Sequence, residues 1–97
     1  MATFVSLIHF TDQGIRNIKE TTKRAKDFVA AAEKAGVKVR ELFWTQGICV
    51  LISITESADE AAATALLLGV GAQGYIRSET LRAFTSAEMD KILAKLP

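Results

Sequence analysis

Scarce residues bound the problem first. The chain of 97 residues holds one cysteine, one histidine, one proline, one tryptophan and one tyrosine. A lone cysteine, Cys49, cannot close an internal disulfide. With His9 as the only histidine, no two histidine or cysteine ligands stand at zinc spacing, so neither a metal nor a cofactor is expected within one chain. Charge of one sign is also missing: the formal net charge is +1, too little to draw phosphate backbones or acidic lipid through a broad field. The nearest basic cluster, Lys19, Lys23, Arg24 and Lys26, is interrupted by Glu20 and Asp27. Nucleic acid and membrane are therefore not expected partners. No apolar run approaches the roughly 18 residues of a membrane span, and MATFVSLIHF lacks the basic start and small-residue cleavage pattern of a signal peptide. The expected location is cytoplasmic.

The composition that remains, 49% hydrophobic and 24% charged, is that of an ordered globular chain. It fits one domain over residues 1–97, near the size at which a single core leaves little margin of stability. Thr3 to Phe10 carries apolar side chains on both parities, Phe4, Ile8 and Phe10 against Val5, Leu7 and His9, as in a strand covered on both sides. TDQGIRNIKETT opens with the cap-type residues Thr11 and Asp12 and supports one short helical turn before a break. Lys23 to Ala35 follows as a helix, with Ala25, Phe28, Val29, Ala32 and Ala35 on one stripe and Gly36 as its stop. Val37 to Thr45 reads as a strand turning through Gln46-Gly47 directly into a second strand, Ile48 to Thr55.

Ser57 with Glu60 has the spacing of a capping box for the next helix, whose body AAATALLLGVG is apolar nearly all round and so expects cover on more than one side. Tyr75 to Ala83 is the last strand, with Tyr75, Arg77, Glu79 and Leu81 on one face and Ile76, Ser78, Thr80 and Arg82 on the other. A final helix is announced by a second capping box, Thr85 with Glu88, by the staple pair Phe84 and Met89, and by the stripe Met89, Ile92, Leu93 and Leu96.

Strand, helix, strand, strand, helix, strand is the ferredoxin-like βαββαβ arrangement of an α+β antiparallel sheet, here with an added C-terminal helix. The first and third strands belong in the middle of such a sheet, which agrees with their near absence of charge. Helices on one face leave the other open to water. Because the central strands are apolar on both parities, a second copy of the chain is expected to cover that face.

FTDQGIRNIKETTKRA, LFWTQG, ADEAAATALLLGVGAQG and RSETLRAFTSAE together resemble the GYD domain family of small bacterial proteins over almost the whole chain, with Glu79 to Thr85 the most specific piece. The family is similar to the dimeric α/β-barrel group, in which two ferredoxin-like sheets face each other. The resemblance thus implies fold and assembly and brings no activity with it. Where the family pattern has Gly-x-Tyr-Asp, this chain keeps Gly47 and places Cys49 and Val50 at the tyrosine and aspartate positions, so nothing that depends on those two side chains carries over.

Candidate site residues are few. Cys49, on one parity with Leu51 and Ser53, has no basic residue nearby in sequence to activate it as a nucleophile and reads as core filler. His9 could act as a general base, the usual role of a catalytic histidine, though a lone histidine in an apolar strand is commonly a core or interface residue. Trp44 suits an interface or pocket wall. Arg77 and Glu79 share a face with Tyr75, either as a surface ion pair or as groups that hold an anion. GVGAQG follows a helix and precedes a strand, the reverse of the dinucleotide fingerprint. Three readings remain. The first is a homo-oligomer binding a small molecule between paired sheets through His9, Trp44, Tyr75, Arg77 and Glu79. The second is a cofactor-free enzyme with His9 as base and Arg77 on an anionic group, and the third is a structural assembly protein without a pocket.

Overall fold

The computed structural model describes residues Met1–Pro97. The chain runs β1 (Ala2–Phe10), α1 (Asp12–Arg16), a 3-10 turn (Ile18–Glu20), α2 (Thr21–Lys34), β2 (Lys38–Trp44), β3 (Leu51–Ser57), α3 (Glu60–Ala72), β4 (Ile76–Ala83) and α4 (Ser86–Leu93). The strands form a single antiparallel sheet in the order β2-β3-β1-β4. This is an α+β fold consistent with the ferredoxin-like arrangement, and the charge-poor strands β1 and β3 lie at its centre as their composition requires.

Sheet register decides which residues meet the helices. Phe4, Ser6 and Ile8 of β1 stand beside Thr55, Ser53 and Leu51 of β3, and of these all but Phe4 are buried. Beneath the helices the sheet carries Ser6, Ser53, Thr55 and Ser57, all buried. Small side chains there let α2 and α3 approach through Ala32 and Ala63, which with Val37 form the tightest part of the core, backed by Phe4, Val39 and Leu66. Polar atoms in this layer need partners. Ser6 and Thr80 share a hydroxyl bond of 2.9 Å across β1 and β4, whereas the Ser53 hydroxyl has none.

Several local expectations change. The inward stripe of α2 is Ala25, Phe28 and Ala32, while Val29 and Ala35 are exposed; the helix touches the sheet along a narrow line. Its C-terminus is closed by the Val37 amide donating to the Ala32 carbonyl at 2.8 Å. The β2–β3 connection is longer than a tight hairpin and runs from Thr45 to Val50. It holds Gly47 at φ +106, which an L side chain adopts only with strain, and Ile48 at 86% exposure. Cys49 therefore lies outside the strand, buried in the loop. There the Thr45 hydroxyl donates to its carbonyl at 2.8 Å and the Thr45 amide donates to the Val50 carbonyl at 2.8 Å.

Helix α3 is capped by Asp59, whose carboxylate accepts from the Ala61 and Ala62 amides at 2.9 and 3.2 Å. Ser57 cannot serve as the cap because it is still paired in the sheet, opposite Ala2. Its hydroxyl instead closes a short turn with Asp59. The outer side of α3 is uncovered in the single chain, with Leu68 at 69% exposure. By contrast the capping box of Thr85 and Glu88 at the start of α4 forms as the spacing demands. The α4 stripe of Met89, Ile92, Leu93 and Leu96 remains exposed.

Candidate functional site

On the sheet face away from the helices, apolar side chains occupy the centre. Val5 stands between Ile54 of β3 and Leu81 of β4, and Leu7 between Ile52 and Glu79. Phe43 of β2 extends the second row and Glu41 the first. Charged residues close the margins: Glu79 and Glu41 on the outer strands, and Arg40 with Glu56 as an ion pair of 2.7 Å at one end. Arg40 reaches Glu56 because β2 bulges between Val39 and Glu41. An apolar centre with a polar rim is the anatomy of an interface patch.

At the opposite end of this face His9 stands directly across from Arg77. Together with Phe10, Ser78 and Glu79 they line an open recess of about 350 Å³. Of the residues expected to form a site, His9, Arg77 and Glu79 are thus brought together. Arg77 and Glu79 do not form the expected ion pair, since the chain's ion pairs are confined to Arg40–Glu56, Arg82–Glu60 and Arg82–Glu88. The Arg77 guanidinium is left without a carboxylate partner.

Tyr75 and Trp44 lie elsewhere. Tyr75 precedes the first paired residue of β4 and follows Gly74 at φ +88, so strand alternation does not extend to it and its ring turns to the helix side. There the Arg24 guanidinium stacks over it at 4.5 Å. The indole of Trp44 donates to the Thr21 hydroxyl at 3.1 Å, which also places it on the helix side. Around these groups α2 and α3 leave space above the sheet. They meet closely at Ala32 and Ala63, but at the end marked by Thr21, Gln73 and Ile76 they leave an apolar cavity of about 120 Å³. Phe10, Phe28, Leu67 and Val70 are among its walls. Sequence reading did not find this cavity. Arg24 looked like one of a run of surface cations and Phe28 like ordinary core, and only the tertiary packing brings them to one cavity.

The entry to α1 is fixed against this region. The Thr11 hydroxyl donates to the Gly74 carbonyl and accepts from the Gly14 amide at 3.1 Å, while the Thr11 amide donates to the Tyr75 carbonyl at 3.2 Å. Far from both hollows, Arg82 joins the starts of two helices. Its guanidinium lies 3.8 Å from Glu60 and 4.0 Å from Glu88, stacks over Phe84 at 4.4 Å, and donates to the Thr3 carbonyl at 3.3 Å. The Glu88 carboxyl is held below the usual range, chiefly by the Thr85 amide that donates to it, with the Thr85 hydroxyl and the Arg82 charge adding to the effect.

A family model described as GYD domain matches residues 4–93, which takes in all of α4 and every strand apart from the first two residues of β1. The chain belongs to the GYD domain family. No curated protein is matched. For this GYD domain the family assignment accounts for the architecture, and any chemistry must be argued from its own residues. No group of three or more histidine, cysteine, aspartate or glutamate side chains converges in the domain as a metal site would require, and no helix is long and apolar enough to cross a membrane.

Proposed function

We propose that this GYD domain is a homo-oligomeric small-molecule-binding protein. Two copies pair through their open sheet faces, and the ligand sits between them in the recess lined by His9, Arg77 and Glu79. The observation that carries this reading is the placement of that recess at the margin of an apolar face whose outer members Phe43 and Leu81 are each 53% exposed. Pairing removes apolar surface from water, and it turns an open recess into an enclosed one with an uncompensated guanidinium inside. A small anionic or polar molecule suits that arrangement.

Analytical ultracentrifugation at micromolar concentration tests the assembly, and a monodisperse monomer would refute it. Native mass spectrometry of the purified oligomer tests the ligand. A bound small molecule lost on Arg77→Gln supports the reading, while a solid, dry interface leaves only a structural assembly role.

The direct cross-strand pairing of His9 with Arg77 also favours a second reading, a cofactor-free enzyme in which His9 takes a proton from a substrate whose developing negative charge Arg77 holds. His9→Ala separates the two: an enzyme loses turnover, and a binder changes in affinity alone.

A further inference from the structure

The helix-side cavity is a second hollow, which shares only Phe10 with the recess of His9 and Arg77. Eleven of its fifteen lining residues are hydrophobic, and its volume of about 120 Å³ is on the scale of cavities that admit one aromatic ring. Phe10, Phe28 and Tyr75 supply ring faces and edges, with Leu51, Leu67 and Val70 completing the wall.

The polar side chains of the lining are Thr21, Arg24, Asp27 and Gln73, with the hydroxyl of Tyr75. Arg24 is half-buried and held in place by stacking on Tyr75 at 4.5 Å and by donating one N–H to the Asn17 carbonyl at 3.1 Å. No carboxylate neutralises it, and its other N–H groups are free to donate. Thr21 accepts from the Trp44 indole, which leaves its own hydroxyl hydrogen to donate. Gln73 adds an amide donor. Asp27, the one acidic group, is exposed to solvent. A fixed cation with neighbouring donors at the rim of a one-ring apolar cavity selects an acid with an apolar ring.

We propose that this cavity binds a single-ring aromatic carboxylate, the ring lodged against Phe28 and Leu67 and the carboxylate on Arg24 and Thr21. The site is independent of the recess between sheets and stays open if the sheet faces pair, because it lies behind them.

Benzoate is the probe, with toluene as its uncharged counterpart, titrated into the full-length protein and followed by methyl NMR and by the fluorescence of Trp44. Benzoate is expected to shift the methyls of Ile8, Leu51, Leu67 and Val70 and the Arg24 Nε–H. Arg24→Gln is expected to weaken it about tenfold or more, the loss of a charge-assisted hydrogen bond. Leu67→Phe, or Val70→Phe if the former does not fold, should fill the cavity and abolish binding. Arg77→Gln should leave it unchanged, so failure of the recess and failure of this site read differently. The proposal is overturned if millimolar benzoate leaves those methyls unmoved, if toluene binds as tightly, or if Arg24→Gln has no effect.

Discussion

Gly14 and Ser53 show how single atoms set opposite responses to the same substitution. A Cβ on Gly14 would lie 2.0 Å from the Tyr75 carbonyl oxygen, a backbone atom that cannot swing aside. Alanine is ordinarily the better helix former, yet Gly14→Ala is expected to destabilise the fold by about 1–3 kcal/mol through overpacking, measurable as a lower midpoint in urea. Ser53 presents the reverse case. Its hydroxyl is fully buried and unpartnered, so it carries a desolvation cost with no bond to offset it. Ser53→Ala should leave stability unchanged or raise it by up to about 1 kcal/mol in the same assay; a clear loss would mean that the hydroxyl has a partner in solution.

Among the elements, α4 depends most on its cap, since its apolar stripe is exposed and only its first turn is tied to the body of the domain through Arg82. The Glu88 carboxyl has a folded-state pKa below its unfolded value. Its contribution is therefore fully present above the ordinary glutamate value of about 4.3 and is lost as pH falls from there through the folded pKa. Amide exchange in α4 should accelerate below that value relative to the central strands, beyond the change in intrinsic rate, and Glu88→Gln should flatten the difference. The same elements show what a sequence can reveal. The Thr85–Glu88 box and the central placement of β1 and β3 were legible because each rests on local spacing or on charge along one segment. The Ser57–Glu60 spacing was equally good and misled, because β3 holds Ser57 in the sheet and passes the cap to Asp59. Tyr75 misled for a related reason, in that alternation ends at the last paired residue and Gly74 redirects the chain. Arg77 and Glu79 could be grouped from strand parity, whereas the pairing of His9 with Arg77 depends on sheet register and the cavity between α2 and α3 on how two helices pack over the sheet, which no periodicity encodes.

Considered whole, the molecule leaves three apolar surfaces unpartnered: the open sheet face, the outer side of α3 and the α4 stripe. A chain of 97 residues has little stability in reserve, and mass action then ties folding to association. The thermal midpoint is expected to rise with protein concentration, by scanning calorimetry, over the range in which the oligomer forms. Ile54→Lys, which places a charge at the centre of the open face, should remove that dependence; a midpoint independent of concentration in the unsubstituted protein would count against pairing.

The order of strands in the sheet also bears on how the protein is made. β1 is the first strand to leave the ribosome, and one of its two neighbours, β4, is the last strand synthesised, with Thr3 aligned to Ala83. β1 can pair with β3 before β4 is made, but its other edge stays bare until β4 emerges. Ribosome-stalled chains whose C-terminal linker brings the segment up to Ile76 out of the exit tunnel should accordingly be cleaved rapidly by protease, and those whose linker brings out β4 and α4 as well should resist it. Such a sheet is completed only once β4 has left the ribosome, and until then the apolar edge of β1 is available to chaperones and to neighbouring nascent chains alike.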